Sequence, residues 1–277
     1  VRQGPRPYVT LADIVERCTA LTPTHQLALW LLRLVGLRIG EAYGLMVTDF
    51  HDDRTRAWLR VHTQGGQICW VRDELGRLVA ADTKAHTKTE GSTRNVPICR
   101  PLADLITEVI RLFHTDPTTG QVYTDARLIP GLRSENSSGI PALRAGIEAA
   151  FQQRVATGPG VAFEPHDLRR AFITDLANAR VDERLAEWYT GHASPKTVHA
   201  GYDLGPRPAQ LEPIADLIEA MVHTDLGRTD LRVPTAKSEQ WGTSTRRGRE
   251  KELLRAELSM QLGANCSTGQ PRTGPKA

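Results

Sequence analysis

Arg38 sits in the run Gly36-Leu37-Arg38-Ile39-Gly40-Glu41, and Arg169 in His166-Asp167-Leu168-Arg169-Arg170. His192 closes Thr190-Gly191-His192, and Tyr202 stands ten residues beyond it. These residue types suit one chemistry. A phosphodiester resists attack because its oxygens are negative and its leaving alkoxide is poor. Breaking it without a metal needs cationic donors on the non-bridging oxygens, a nucleophile, and a proton source for the departing oxygen. An arginine's planar fork grips two phosphate oxygens with a permanent charge, so Arg38 and Arg169 are the candidate clamp. His166 and His192 are candidates to move protons beside the phosphate, and Tyr202 to attack it. The set reads as an apparatus for cutting and rejoining DNA strands through a phosphotyrosine.

Residues so far apart in sequence need several elements to bring them together. Thr22-Pro23 signals a helix start, a capping hydroxyl followed by proline in the first turn. Leu27 to Val35 is nearly all apolar, so that helix is buried on most sides. Gly36 interrupts it, and a second short helix from about Arg38 carries Glu41 and Leu45. Asp49 to Thr55 reads as a turn. Ala57 to His62, Ile68 to Val71, Leu78 to Ala80 and Arg94 to Ile98 read as strands of a small antiparallel sheet. Helical spacing returns at Leu102, Leu105, Ile106, Val109 and Ile110. Residues 115–139 read as loop with a short extended piece at Val122-Tyr123, and Ala142 to Val155 as helix. Leu168, Phe172 and Leu176 stripe the helix that carries Arg169, and another helix runs from Asp182 to just before Gly191. Ile214, Leu217, Ile218, Met221 and Val222 mark a last stripe. Beyond about residue 226 the pattern weakens; Lys251 to Leu262 could form one helix before a disordered end. The expectation is an α+β fold: a mainly helical domain over 1–225 with a small antiparallel β-sheet on one side, then a basic tail over 226–277.

Composition narrows the function classes. The chain has 277 residues and a formal charge of +3, which alone does not establish a nucleic-acid partner. Residues 241–277 carry seven Lys/Arg against three Asp/Glu, leaving the rest slightly acidic. A DNA site in the main body must therefore use locally grouped arginines. Cys18, Cys69, Cys99 and Cys266 show no close pair with metal or redox spacing, which points to free thiols in a reducing cytoplasm. No apolar run approaches the roughly 20 residues of a bilayer span. The start, Val1-Arg2-Gln3-Gly4-Pro5, lacks the pattern of a signal peptide. The histidines show neither HExxH nor zinc Cys/His spacings, and there is no phosphate-loop, dinucleotide or serine-elbow motif. No metal and no cofactor is expected.

The Arg38 box, the His166–Arg170 box, Gly191-His192 and Tyr202, in this order and spacing, resemble the tyrosine recombinase (phage integrase) family over about residues 9–205. That resemblance implies the family's catalytic domain and its roles. Arg38 and Arg169 would clamp the scissile phosphate. His166 would bond it and assist the tyrosine's proton transfer, and His192 would bond a phosphate oxygen. Tyr202 would attack phosphorus, giving a 3′-phosphotyrosyl link and a 5′-hydroxyl. Glu41, one helical turn from Arg38, would support it. A hairpin lysine would act as acid for the 5′ oxygen; Lys88 matches that place, with Lys84 its rival. The reaction would need no cofactor, since the phosphotyrosine keeps the bond's energy. The implied partners are double-stranded DNA and further copies of the chain, a tetramer on paired sites.

Four departures stand against the family pattern. Thr190 replaces a usual leucine, Tyr202 lies one residue further from His192 than is common, the sheet has an excursion over about Gln64 to Asp82, and the sequence begins almost at the catalytic domain. Taken singly, four site residues also have an ordinary explanation: Arg38 capping the preceding helix or pairing with Glu41, His166 capping a helix, Lys88 solvated, Tyr202 packing as Tyr43, Tyr123 and Tyr189 would. Arg170 reads as a surface residue and Arg246-Arg247-Gly248-Arg249 as a solvated tail. The 213–224 stripe reads either as packed on its own domain or as docked into a neighbouring protomer. Two other functions share these features: a DNA-binding accessory protein that does not recombine, and a type IB topoisomerase-like relaxing enzyme.

Overall fold

The computed structural model describes residues 7–65, 68–72, 75–82, 85–86, 93–116, 118–129, 163–192 and 206–234. The helix expected over 142–155, the arginines of the tail and the 251–262 segment lie outside them.

Helix α1 (Leu11–Cys18) starts at a capping box: Thr10 Oγ1 accepts from the Asp13 N–H at 3.1 Å, and Asp13 accepts from the Thr10 N–H at 2.8 Å. Helix α2 (Pro23–Leu34) is buried almost all round, as its unbroken apolar run requires. Its start differs from expectation. Pro23 holds the first turn, but the Thr22 hydroxyl caps no backbone N–H; it lies 3.4 Å from the Thr24 hydroxyl instead. Helix α3 (Ile39–Gly44) follows after Gly36, with Arg38 as its N-cap and Leu45 just past its end.

A short strand β1 (Phe50–Asp52) occupies what reads in the sequence as turn. It pairs antiparallel with β2 (Ala57–Val61), Phe50 opposite Leu59 and Asp52 opposite Ala57. The real turn is shorter: Asp53 Oδ1 accepts from the Thr55 and Arg56 N–H groups, and Arg54 takes the left-handed region at φ 72°. Beyond β2 come β3 (Thr63–Gln64), β4 (Ile68–Arg72), β5 (Leu78–Asp82), β6 (Ala85–His86) and β7 (Arg94–Ile98). These do not form one sheet. The main sheet is three-stranded, β1-β2-β7, while β3-β6 and β4-β5 are separate two-stranded ribbons, all antiparallel. The Gly65 N–H donates to the Gly40 carbonyl and Thr63 Oγ1 to the Gly44 carbonyl, which seats β3 against α3.

Helix α4 (Arg100–Phe113) buries Leu102, Leu105, Ile106 and Val109. After it, Val122 makes only an isolated bridge to Thr115. Helix α5 (Pro165–Asn178) buries Leu168, Phe172 and Leu176 and packs along α2. Helix α6 (Glu183–Thr190) is capped by Asp182, whose carboxylate accepts from the Arg184 and Leu185 N–H groups. It ends at Gly191 in the left-handed region. Helix α7 (Pro208–Leu226) buries Leu211, Ile214, Ala215, Ile218 and Val222 against β7, α1, α4 and α6 of its own chain. The stripe over 213–224 thus packs at home.

The core runs past the expected boundary at 225–226. Leu231 and Val233 are buried, and their backbone lies along α2. Gln26 bonds Val233 at both its carbonyl (3.1 Å) and its N–H (3.2 Å), and Trp30 Nε1 donates to the Leu231 carbonyl at 3.0 Å. Side chains here complete a backbone ladder, which leaves no periodicity in the sequence. No helix among the described residues is long and apolar enough to cross a membrane.

Candidate active site

The site forms where the ends of α2 and α6 meet the start of α3. Gly36 follows α2 at φ 66°, and a Cβ there would fall into the Phe172 ring of α5. Only glycine makes this turn, and the turn aims the Gly36 carbonyl at Arg169 Nη1, which donates to it. Arg169 Nη2 donates to the Thr190 carbonyl at 2.8 Å. Both acceptors lie at helix C-terminal ends, where unpaired carbonyls carry partial negative charge and favour a cation.

Glu41 is the hub. Its side chain is 0 % exposed. Its Oε2 accepts from the Arg38 N–H at 2.8 Å, completing the first turn of α3. Its Oε1 accepts from Arg38 Nη1 at 3.1 Å, and Arg38 Nη1 also donates to the Gly191 carbonyl at 3.1 Å. Arg94, first residue of β7, meets the same carboxylate with both ends of its fork, Nη1 to Oε1 at 3.1 Å and Nη2 to Oε2 at 3.2 Å. Arg169 Nη1 stands 3.9 Å from Oε2. Among the described residues, three guanidinium groups thus converge on one carboxylate. Arg94 and Arg169 are buried, with side chains 3 % and 2 % exposed, while Arg38 is 41 % exposed and forms the mouth of the cluster.

Electrostatics follows from this arrangement. Burial alone would push the Glu41 carboxyl up, but the charge and hydrogen bonds of Arg94 and Arg38 outweigh it and hold it below the usual range. Burial, then the charges of Arg38 and Arg94, bring Arg169 down to about 10 against the opposing pull of Glu41; it stays cationic at neutral pH. His192 follows Gly191 at the edge of the cluster. Burial, then Arg169, Arg38 and Arg94, lower its pKa against the opposing Glu187, so the imidazole is neutral.

Thr190 explains one departure from the family pattern. Its hydroxyl donates to the Ala186 carbonyl at 2.7 Å and lies 3.3 Å from His192 Nδ1, where it restrains the ring. A leucine there would leave Nδ1 without that neighbour.

The structure therefore brings together Arg38, Glu41, Arg169 and His192. His166 stands exposed in the first turn of α5, three residues before Arg169 and on the same flank. Glu164, not His166, is the N-cap of that helix. Arg170 is exposed. Lys84, Lys88 and Tyr202 lie outside the described residues. Of the other tyrosines, Tyr189 is buried and donates to the Pro97 carbonyl at 2.5 Å, Tyr8 bonds Asp175, Tyr123 is on the surface bonded to Asp116, and Tyr43 is buried. Arg94 is the residue that sequence reasoning missed. Its signal was an arginine at an inward position of a strand, in phase with Val96 and Ile98. Among the described residues no group of three His, Cys, Asp or Glu gathers closely enough to hold a metal ion.

Residues 7–203 match the model of the phage integrase family. Similar solved structures include the integrase of transposon Tn1549 (residues 82–397) in complex with circular intermediate DNA, at 20 % identity and TM-score 0.47, covering 77 % of this chain and 67 % of that one. The integrase from mycobacterium phage Brujita shows 15 % identity and TM-score 0.45 over 80 % of this chain and 59 % of that one. The XerA recombinase shows 16 % identity and TM-score 0.43 over 81 % and 65 %. This chain thus spans about two thirds of their length or less. No curated protein sequence matches it. With its family's model matched along most of its length, the chain belongs to the phage integrase family of tyrosine recombinases.

Proposed function

We propose that the arginine cluster is the phosphate clamp of a site-specific DNA recombinase that works through a 3′-phosphotyrosyl intermediate. One observation carries this reading: Arg38, Arg94 and Arg169 converge on the single Glu41 carboxylate, and the cluster opens to solvent at Arg38. Guanidinium groups held together in this way suit the oxygens of a backbone phosphate, which their planar forks grip with a permanent charge.

In the proposed reaction the Tyr202 oxygen attacks the scissile phosphorus. The phosphorus–O5′ bond breaks, the tyrosine becomes esterified to the 3′ phosphate, and the O5′ leaves as a hydroxyl after taking a proton. Lys88 supplies that proton, with Lys84 the competing assignment. Arg38 and Arg169 offset the charge that builds on the non-bridging oxygens. His192 contacts one of those oxygens, and His166 handles the tyrosine's proton. Rejoining runs the same steps backwards with another strand's 5′-hydroxyl. No metal enters these steps. The partners are double-stranded DNA in the cytoplasm and further copies of this chain, four on paired sites.

A nicked duplex that releases the short fragment bearing the new 5′-hydroxyl on cleavage tests the proposal. The expected result is a covalent protein–DNA adduct that maps to Tyr202 and vanishes in Tyr202→Phe. No adduct with any duplex, despite binding, would make the chain an accessory DNA-binding protein. Adduct formation with relaxation of supercoils and no exchange between paired sites would favour a topoisomerase-like enzyme.

A further inference from the structure

Arg94 is too deeply covered to touch DNA, yet it holds two of the residues that would. Its fork grips Glu41 at both oxygens, so it fixes the carboxylate that in turn fixes Arg38. Its Nε donates to the Tyr189 carbonyl at 2.9 Å, one turn before His192. The Gly191 turn lies directly on the guanidinium: a Cβ at Gly191 would stand 2.5 Å from Arg94 Nη1. Strand pairing fixes the other end of the side chain, since Arg94 sits opposite Val61 in β2. A single planar group thus ties the sheet to α3 and to the turn that carries His192.

We propose that Arg94 is a positioning residue for strand transfer, a buried brace that sets where Arg38 and His192 stand relative to the scissile phosphate. This rests on the strand-transfer reading. Two properties of the group matter separately. The fork geometry orders Glu41, and a lysine's single ammonium cannot reproduce it. The positive charge faces the His192 imidazole together with Arg38, Arg169 and the opposing Glu187, and helps to keep it unprotonated.

The test uses Arg94→Gln and Arg94→Lys in the full chain. It reads three quantities: single-turnover adduct formation on the nicked duplex, duplex affinity, and the His192 ring titration by NMR, assigned with His192→Gln. In Arg94→Gln the adduct rate should fall about 10²-fold, the scale of a small misplacement at a reacting centre. Affinity should stay close to that of the parent, and the His192 midpoint should rise because a facing cation is gone. In Arg94→Lys the midpoint should stay near the parent value while the rate remains low, because charge is kept and the fork is lost. An Arg94→Gln protein that is folded, cleaves at the parent rate and leaves the His192 midpoint unmoved overturns the proposal. A parental rate in Arg94→Lys overturns the fork's part in it. If the unmodified protein forms no adduct at all, the strand-transfer reading fails, and an unmoved His192 midpoint then rejects the brace on its own.

Discussion

Two buried charge networks tie the first helices to α5, and they are built on opposite principles. At one end of the α2–α5 contact, Arg33 faces Asp175 at 2.6 Å with side chains 0 % and 4 % exposed. The facing atoms are close but poorly aligned for a hydrogen bond, so the contact is ionic. The Tyr8 hydroxyl closes on Asp175, and Arg33 Nε donates to the Val9 carbonyl at 3.1 Å. Among the described residues, charge is matched one to one there. At the other end, Glu41 faces three arginines, and helix-terminal carbonyls at Gly36, Thr190 and Gly191 take up part of the remaining donors. Among the described residues that network sets three cationic groups around one anionic one. The lesson is that burial of ions does not identify function; imbalance does. A one-to-one pair holds helices together, and several arginines around one carboxylate, open at the mouth, suit an incoming anion.

The contrast can be broken in several ways. The largest effect belongs to the balanced network. Asp175→Ala strands a buried guanidinium and should cost about 3–5 kcal/mol of stability, read by chemical denaturation. Cleavage per folded molecule should hardly change; a specific loss of cleavage would erase the distinction between the networks. Next, Arg38→Ala should lower the adduct rate by roughly 10² to 10³, the scale for losing one donor to a developing charge. Its thermal stability should hold or rise, because a charge that opposes the buried Arg169 is removed. Gly191→Ala should cost about 1–3 kcal/mol for a left-handed backbone without glycine, and it drives a methyl into Arg94. Cleavage should fall with it, while Gly120→Ala, left-handed in open surroundings, loses stability alone.

The smallest effect is on pH dependence. The folded protein holds His192 below its ordinary value of 6.5, so the unfolded chain takes up that proton first. Stability from this group is full above 6.5 and erodes as pH falls through the lowered value. Glu41 adds a second loss below its ordinary value of 4.5, since its carboxylate is favoured only in the fold. Melting temperature against pH should show the first step disappear in His192→Gln. An unchanged profile would mean that the fold does not hold His192 below its ordinary value.

Local signals carried most of the fold. The apolar run of α2, the spacing of Leu168, Phe172 and Leu176, and Asp182 with Gly191 around α6 all describe contacts within a few residues, and all appear as read. The Arg38–Glu41 contact was legible for the same reason, one turn of helix. Arg94 was not, because its meaning depends on a partner 53 positions away in sequence and on strand pairing that sets its direction. The β1 strand hides in charged residues that resemble a turn. The Leu231–Val233 segment hides because side chains of Gln26 and Trp30, not another strand, complete its backbone pairing. Thr190, a departure in the sequence, becomes intelligible once its hydroxyl is seen beside His192.

In the proposed function, the positive charge at the mouth of the cluster meets the charge of one phosphate. Cleavage of a duplex whose scissile phosphate is replaced by a neutral methylphosphonate tests it most directly, compared between the unmodified protein and Arg38→Ala. Arg38→Ala should lose far less of its rate on the neutral linkage than on the phosphate, since there is less charge left to offset. An equal loss on both substrates would contradict it, because Arg38 would then be acting by shape and not by charge.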